Sequence, residues 1–131
     1  MDSSTRVVQE FLVAMKPIQE AFNEFVRELY RRPEVKLVHV YHPLLYPDSD
    51  FGVSADLHNG AGLDFWIELE TSGATWAMIY SVQRRDPNED GTHCEAHFPP
   101  QKIELAMDLP RAVLAAVQVL RQRGADDTLF R

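Results

Sequence analysis

The sequence predicts an α+β domain, with one helix near each end of the chain and an antiparallel sheet between them. Apolar residues recur at helical spacing before residue 31 and after residue 108, whereas they alternate with polar residues between 51 and 82. A length of 131 residues is typical of one domain, and no internal boundary is visible. We therefore predict a single domain over residues 1–131, with a sheet of four to five strands.

The N-terminal helix is expected over about residues 5–31. From Val7 to Leu29 the apolar positions follow the i, i+3, i+4 spacing of an amphipathic helix. Pro17 interrupts this pattern, because proline lacks a backbone donor and clashes with the preceding turn. The segment is therefore either one helix that kinks at Pro17 or two helices, the second of which begins there. Pro33 ends the segment.

The meander, residues 51–82, is the part of the chain around which the other elements are arranged. Alternate residues are apolar in three of its segments, which predicts strands at residues 51–57, 63–69 and 76–82. Loops of polar residues and glycine are expected between them, at residues 58–62 and 71–74.

The apolar pattern also predicts a register for the meander. We expect Leu57 opposite Leu63 and Leu69 opposite Trp76, so that every apolar residue of the three strands lies on one face. A shift by one residue would expose this apolar row to water. One face of the meander is therefore expected to belong to the core.

The opposite face, which we name the Trp66 face, is mixed in character. In the predicted register Trp66 lies beside Ile79 and Ser54, and Asp56 lies beside Asp64. Four carboxylates surround the small apolar centre formed by Trp66 and Ile79, namely Asp56, Asp64, Glu68 and Glu70. This face is the candidate site of the molecule.

Two further strands are expected, one before and one after the meander. Residues 34–42 are rich in β-branched and aromatic side chains, and residues 93–98 alternate again, with Cys94, Ala96 and Phe98 on one side. The polar run at residues 84–91 is expected to be a solvated, mobile turn.

The C-terminal helix follows these strands. Asp108 is a candidate N-cap, and Gly124 is expected to end the helix. An apolar stripe runs from Ala112 to Leu120, and residues 126–131 are predicted as a short tail. We expect both helices to pack together on the apolar face of the meander. The Trp66 face then stays open unless a helix or a second copy of the chain covers it.

The composition bears on location and partners. Thirteen basic residues against twenty acidic ones give a formal net charge of −7, which disfavours nucleic acid and anionic lipid and favours basic partners. The single Cys94 excludes an internal disulfide and suits a reducing compartment. The start of the chain has no signal-peptide pattern, and no apolar run approaches the ~20 residues of a membrane span. We therefore expect a cytoplasmic protein. A basic cluster is expected to be solvated: Arg27, Arg31, Arg32 and Lys36.

Metal and catalytic sites are not predicted. His93, Cys94 and His97 have a spacing that suggests a metal site, but on a regular strand Cys94 points away from both histidines. Asp56 and Asp64 would support acid–base catalysis only if burial kept one of them protonated. Carboxylates on an open sheet face are more often solvated charges. We therefore expect no cofactor, and we favour a non-enzymatic role over an enzymatic one.

Trp66 has two competing interpretations. An aromatic side chain within a polar rim is typical of a binding surface, on which Trp66 and Ile79 would anchor a basic protein. Alternatively, a terminal helix or loop covers Trp66 and makes it part of a second core. Two other functions stay open. One is a ligand pocket or active site between helices and sheet, lined by Tyr41, Tyr80, Trp76 and the histidines. The other is a homodimeric structural subunit in which the Trp66 face pairs with itself.

In size, acidity and layout the chain resembles small bacterial immunity proteins, which neutralise polymorphic or contact-dependent toxins. The resemblance rests on the meander and on the four carboxylates of the Trp66 face. It implies a compact α+β domain that caps a basic toxin domain, and it assigns no role to an individual residue. Type III secretion chaperones are also small and acidic, and a secretion chaperone stays an alternative function. The chain resembles them less, because their pattern has a helix within the run of strands. The sequence therefore predicts a protein-binding module, and the resemblance implies toxin inhibition.

Overall fold

The fold is α+β, as the sequence predicts, with helices near both ends of the chain and an antiparallel sheet between them. The computed structural model describes residues 3–41, 50–72, 75–88, 91–98, 100–104 and 108–131. The helices are α1 (Ser3–Arg31) and α2 (Leu109–Arg123), and a 3₁₀ turn follows at Asp127–Phe130. The strands are β1 (Val35–Tyr41), β2 (Asp50–Leu57), β3 (Gly62–Ser72), β4 (Thr75–Arg85), β5 (His93–His97) and β6 (Gln101–Ile103).

The strands form one antiparallel sheet in the order β1-β2-β3-β4-β5, and β6 also pairs with β4. β5 pairs with residues 81–84 of β4, whereas β6 pairs with residues 76–78. The two short strands therefore lie one after the other beside β4. β6 was not predicted from the sequence, because its three residues are too few to show a period. The strand predicted at residues 34–42 is confirmed as β1, and residue 42 lies outside the described residues.

α1 continues through Pro17 as one helix, so the alternative of two helices is wrong. Pro17 is exposed, whereas among the described side chains of α1 those from Ile18 to Leu29 include a buried stripe. Packing of this buried stripe on the sheet stabilises the helix beyond the proline, since most helical stability in proteins comes from tertiary contacts. Within the described residues, no helix combines the length and the apolar character that a membrane span requires.

Both helices pack on the same face of the sheet and enclose the core. The buried cluster combines α1, α2 and alternate residues of the central strands. Phe25 of α1 meets Phe65 of β3 edge-on, with ring centroids 5.0 Å apart. A Cβ at Gly124 would lie 2.6 Å from Cε1 of Phe25. Close packing therefore requires the glycine after α2. A left-handed backbone is not the reason for the glycine, because the φ of Gly124 is −67°.

The first hairpin has the predicted faces but not the predicted register. Leu63 lies opposite Ala55 instead of Leu57. The connection is tighter than expected, because the Leu57 N–H donates to the carbonyl of Ala61 at 2.8 Å. A displacement of two residues leaves each side chain on its predicted face, since side chains alternate along a strand.

The second hairpin is displaced in the same way. Leu69 lies opposite Met78 instead of Trp76. β3 continues to Ser72 and β4 begins at Thr75, so the connection is two residues long where the sequence suggested four. Both registers predicted for the meander are therefore wrong by two residues, while its division into a core face and a Trp66 face is confirmed.

The C-terminal residues, predicted as a tail, dock against the domain. Leu129 and Phe130 are buried, at 9% and 2% exposure. The guanidinium of Arg84 donates to the carbonyl oxygens of Leu129 and Arg131, each at 2.7 Å. Arg84 belongs to β4, so the prediction that the solvated turn begins at residue 84 is also wrong.

Arg32 departs from the solvated basic cluster that the sequence predicts. Its guanidinium lies 3.8 Å above the centroid of the Phe130 ring. It donates to Asp127 at 2.6 Å and to Glu34 at 3.0 Å. Arg32, which directly follows α1, thus links the end of this helix to the 3₁₀ turn. The other members of the cluster are exposed, as predicted: Arg27, Arg31 and Lys36.

Candidate functional site

The sheet face opposite the helices carries an open groove. Its volume is about 510 Å³, and its lining residues belong to β1, β2, β3 and β4. They are His39, Tyr41, Ser54, Asp56, Asp64, Trp66, Glu68, Gln83 and Arg85. The groove occupies the centre of the Trp66 face, and strand pairing arranges most of these residues in three rows that cross the sheet.

The aromatic row consists of Tyr41, Gly52 and Trp66. Strand pairing sets Gly52 between the two aromatic residues. β1 and β3 are about 10 Å apart, because neighbouring strands are separated by about 4.8 Å. Gly52 has no side chain, so the two rings meet above it, with centroids 5.6 Å apart and planes inclined by 61°. A Cβ at position 52 would lie 2.8 Å from Cε3 of Trp66, so the row requires glycine there.

The polar row consists of His39, Ser54, Asp64 and Gln83, which lie opposite one another on β1, β2, β3 and β4. Ser54 is 3% exposed, and its Oγ donates to Oδ1 of Asp64 at 2.5 Å. A buried hydroxyl needs such a partner. The bond also restrains the Asp64 carboxylate, which is the acceptor for the next row.

The charged row crosses the sheet through Asp56, Gly62 and Arg85. A Cβ at Gly62 would overlap the guanidinium of Arg85, which therefore lies over the glycine. From there Arg85 donates to both oxygens of Asp64, at 3.0 and 3.3 Å, and approaches Asp56 at 3.7 Å. His39 Nε2 lies 3.1 Å from the other oxygen of Asp56. Two carboxylates of the groove are thus already engaged by neighbouring side chains.

These contacts raise the pKa of Arg85 above its ordinary value. The main cause is the hydrogen bond to Asp64; the negative charges of Asp64 and Asp56 add to it, and partial burial acts in the opposite direction. The guanidinium therefore stays positively charged wherever the protein is folded.

The structure brings the predicted site residues to one face but changes their neighbours. Asp56 and Asp64 do not lie side by side, because Asp56 is opposite Gly62 and Asp64 is opposite Ser54. Trp66 lies opposite Gly52 and Ser81, and so the predicted pairs with Ser54 and Ile79 are wrong. Ile79 pairs with Glu68, and Glu70 is exposed and pairs with Ala77.

Sequence reasoning missed Tyr41, His39 and Arg85 as members of this face. The odd-numbered residues of β4 face the groove, and Gln83 and Arg85 continue that alternation past Val82. The signal was present in the sequence. It was overlooked because Arg84 and Arg85 stand next to Asp86 and Pro87, which are typical of a turn.

Two alternatives concern the helices: that one of them covers Trp66, and that a pocket lies between them and the sheet. Trp66 is partly buried by its neighbours in the sheet, and the described helices lie on the other side. Trp76 and Tyr80 pack against the core, whereas Tyr41 belongs to the groove. Across the described residues, buried side chains fill the centre of the interface between helices and sheet. An open cavity of about 630 Å³ lies between β6 and the start of α2, and its described lining includes none of Tyr41, Tyr80 and Trp76.

A bulge in β5 changes the face on which Cys94 lies. Ala96 pairs with Val82, but the next pair joins Cys94 to Gln83. Cys94 therefore lies on the groove side of the sheet, and the prediction that it shares a side with Ala96 is wrong. His97 pairs with Ser81. Within the described part of the chain, no three histidine, cysteine or acidic side chains converge as a metal site requires.

No family model, curated protein or solved structure matches this chain.

Proposed function

We propose that this protein is a protein-binding module and that the groove is the centre of its binding surface. The observation that carries the proposal is the pair of aromatic side chains, Tyr41 and Trp66, held within charged surroundings on the sheet face opposite the described helices. Aromatic anchors inside a polar rim are the usual centre of a protein interface. Tyr41 is 40% exposed, so a partner would bury apolar surface that the free protein leaves in water.

The charge of the surface favours a basic partner. The chain has a formal net charge of −7, and the described lining of the groove contains three carboxylates against one guanidinium. Complementary charge accelerates association and disfavours acidic partners. A second copy of this chain is a poorer partner, because a two-fold interface would place the same negative excess on both sides.

The biological form of the proposal is inhibition of a basic toxin or effector domain in the bacterial cytoplasm. The acidity, the small size and the layout that resembles immunity proteins support this form. The module would act by covering its partner, so it needs no catalytic group. Trp66 and Tyr41 would supply the contact area, and Glu68 and Glu70 would supply charge at the rim.

The test is affinity capture from the native lysate at low salt, followed by purification of any captured protein. Bait proteins are the wild type, Trp66→Ala and Tyr30→Ala. Tyr30 is a matched control, because it is 56% exposed and lies on α1 outside the groove. We expect a stoichiometric basic protein with the wild type and Tyr30→Ala but not with Trp66→Ala. Equal capture by all three folded baits would refute the proposed surface, and circular dichroism checks that each bait is folded.

A further inference from the structure

We propose that the groove contains a subsite for one cationic side chain, a guanidinium or an ammonium group, beside Trp66, Tyr41 and Glu68. This inference rests on the proposed function and specifies the chemistry of the partner at its central contact. It goes beyond a general preference for basic proteins, because it assigns the recognition to one carboxylate and one aromatic pair.

The carboxylates that line the groove differ in whether a neighbouring side chain already engages them. Asp64 accepts hydrogen bonds from Ser54 and Arg85, and Asp56 lies against His39 and Arg85. Among the described residues, the side chain of Glu68 makes no hydrogen bond or ion pair, although it is partly buried in the groove. Glu68 is therefore the carboxylate of the groove that is available to a cation from outside.

Glu68 lies close to the aromatic pair of Tyr41 and Trp66. Glu68 and Trp66 are alternate residues of β3, so their side chains leave the same face about 7 Å apart. Tyr41 stands against Trp66 with the ring planes inclined by 61°, which forms a corner rather than a flat stack. Aromatic ring faces attract cations through their quadrupole. A cation in this corner would meet a ring face and a carboxylate at once.

Arg85 shows that the groove accommodates a cationic side chain. Its guanidinium already lies in the groove, over Gly62 and against two carboxylates. Even with this cation in place, the residues described in the groove keep an excess of negative charge, because three carboxylates face one guanidinium. A carboxylate or phosphate of a partner would be repelled, whereas a second cation would be attracted.

The experiment titrates the purified protein with N-acetyl-arginine amide and follows amide and indole N–H signals by NMR. The matched probe is N-acetyl-citrulline amide, which has nearly the same shape and no charge. We expect saturable shifts of the Trp66 indole signal, assigned from Trp66→Phe, with arginine binding about fivefold tighter than citrulline. Glu68→Gln should weaken arginine binding by about fivefold, and Glu20→Gln, an exposed position on α1 outside the groove, should change it by less than about twofold.

Equal affinities for arginine and citrulline would overturn the subsite, as would unchanged binding to Glu68→Gln. Shifts confined to residues outside the groove would also overturn it. The spectra themselves report whether each variant is folded.

The subsite and the proposed function can fail separately. A captured partner that needs Trp66 but is insensitive to Glu68→Gln and to competing free arginine would refute the subsite and leave the proposed function intact. Arginine that binds at Trp66 and depends on Glu68, in a protein that captures no partner, would support the subsite and count against the proposed function.

Discussion

Gly52 is the residue on which the aromatic row depends, and Gly52→Ala tests that row directly. A Cβ at this position would lie 2.8 Å from Cε3 of Trp66 and would overlap the carbonyl oxygen of Phe65. Overpacking of this kind costs about 1–3 kcal/mol. Replacing a strand glycine by alanine offsets about 0.5–1 kcal/mol of this cost, because glycine loses more conformational freedom on folding than alanine does. The difference is about 0–2.5 kcal/mol, and we therefore expect Gly52→Ala to lower the free energy of unfolding by about 1 kcal/mol.

The assay is urea unfolding followed by far-ultraviolet circular dichroism, with the near-ultraviolet spectrum as a report on the aromatic pair. The same substitution is measured in a Trp66→Ala background. Part of the strain comes from the indole, so the cost of Gly52→Ala should fall there by about 0.5–1 kcal/mol. The contact with the Phe65 backbone remains in both backgrounds.

Two results would refute this reasoning. A Gly52→Ala variant about 0.5–1 kcal/mol more stable than the wild type would show that residue 52 is unstrained, as an ordinary strand glycine is. Additive effects of the two substitutions would show that the indole of Trp66 does not occupy the space above residue 52.

Three further substitutions test other parts of the account. Phe130→Ala removes a ring that is 2% exposed and should cost about 3–5 kcal/mol in urea unfolding, whereas a cost below about 1 kcal/mol would mean that the C-terminal segment is not docked. Arg85→Gln removes the donor shared by Asp64 and Asp56. Because Arg85 is 44% exposed, the free energy of unfolding in the same assay should fall by only about 1 kcal/mol. A gain in stability would contradict the contacts of the charged row. For Asp126→Asn the test is pH dependence: hydrogen bonds from the Thr128 side chain and backbone lower the pKa of Asp126 from its ordinary 3.8. Its ionised form therefore stabilises the fold above that value, and the contribution is lost as the pH falls through the lower pKa of the folded state. The stability deficit of Asp126→Asn should be present at about pH 7 and should shrink as the pH falls below about 4, and a deficit independent of pH would contradict a stabilising role for the ionised Asp126 carboxylate.

The alternation of apolar residues predicted the two faces of the meander but not their register. A displacement by two residues preserves the alternation, so the pattern in Leu63–Leu69 fits several registers equally well. The choice between them depends on the turns. In the first connection the Ala61 N–H donates to the Asn59 side chain at 2.8 Å, and Gly60 has a φ of 93°. These local bonds shorten the loop, and composition alone does not show them.

The site was only partly predictable for the same reason. Trp66 and its carboxylates could be placed on one face from the period of two. The two glycines that shape the groove, Gly52 and Gly62, act through residues on neighbouring strands, so their role appears only once the register is known. Arg85 was overlooked because a turn-like composition hid the continuation of β4. Cross-strand partners determine what these residues do.

The C-terminal segment shows a different limit. Leu129 and Phe130 are two apolar residues in a short polar run, too few to indicate a period. They are buried because Arg84 and Arg32 bind the backbone and side chains around them. Long-range contacts of this kind, between residues 45 to 95 positions apart, leave no local pattern in the sequence.

The most direct test of the central claim is the dissociation constant of the captured partner, measured by titration calorimetry against the wild type, Trp66→Ala and Tyr30→Ala. Trp66→Ala should weaken binding by at least about 30-fold, the equivalent of about 2 kcal/mol, while its thermal unfolding stays cooperative. Tyr30→Ala should bind within about twofold of the wild type, because a residue outside the interface contributes little. Equal dissociation constants for the wild type and a folded Trp66→Ala would show that the groove is not the binding surface.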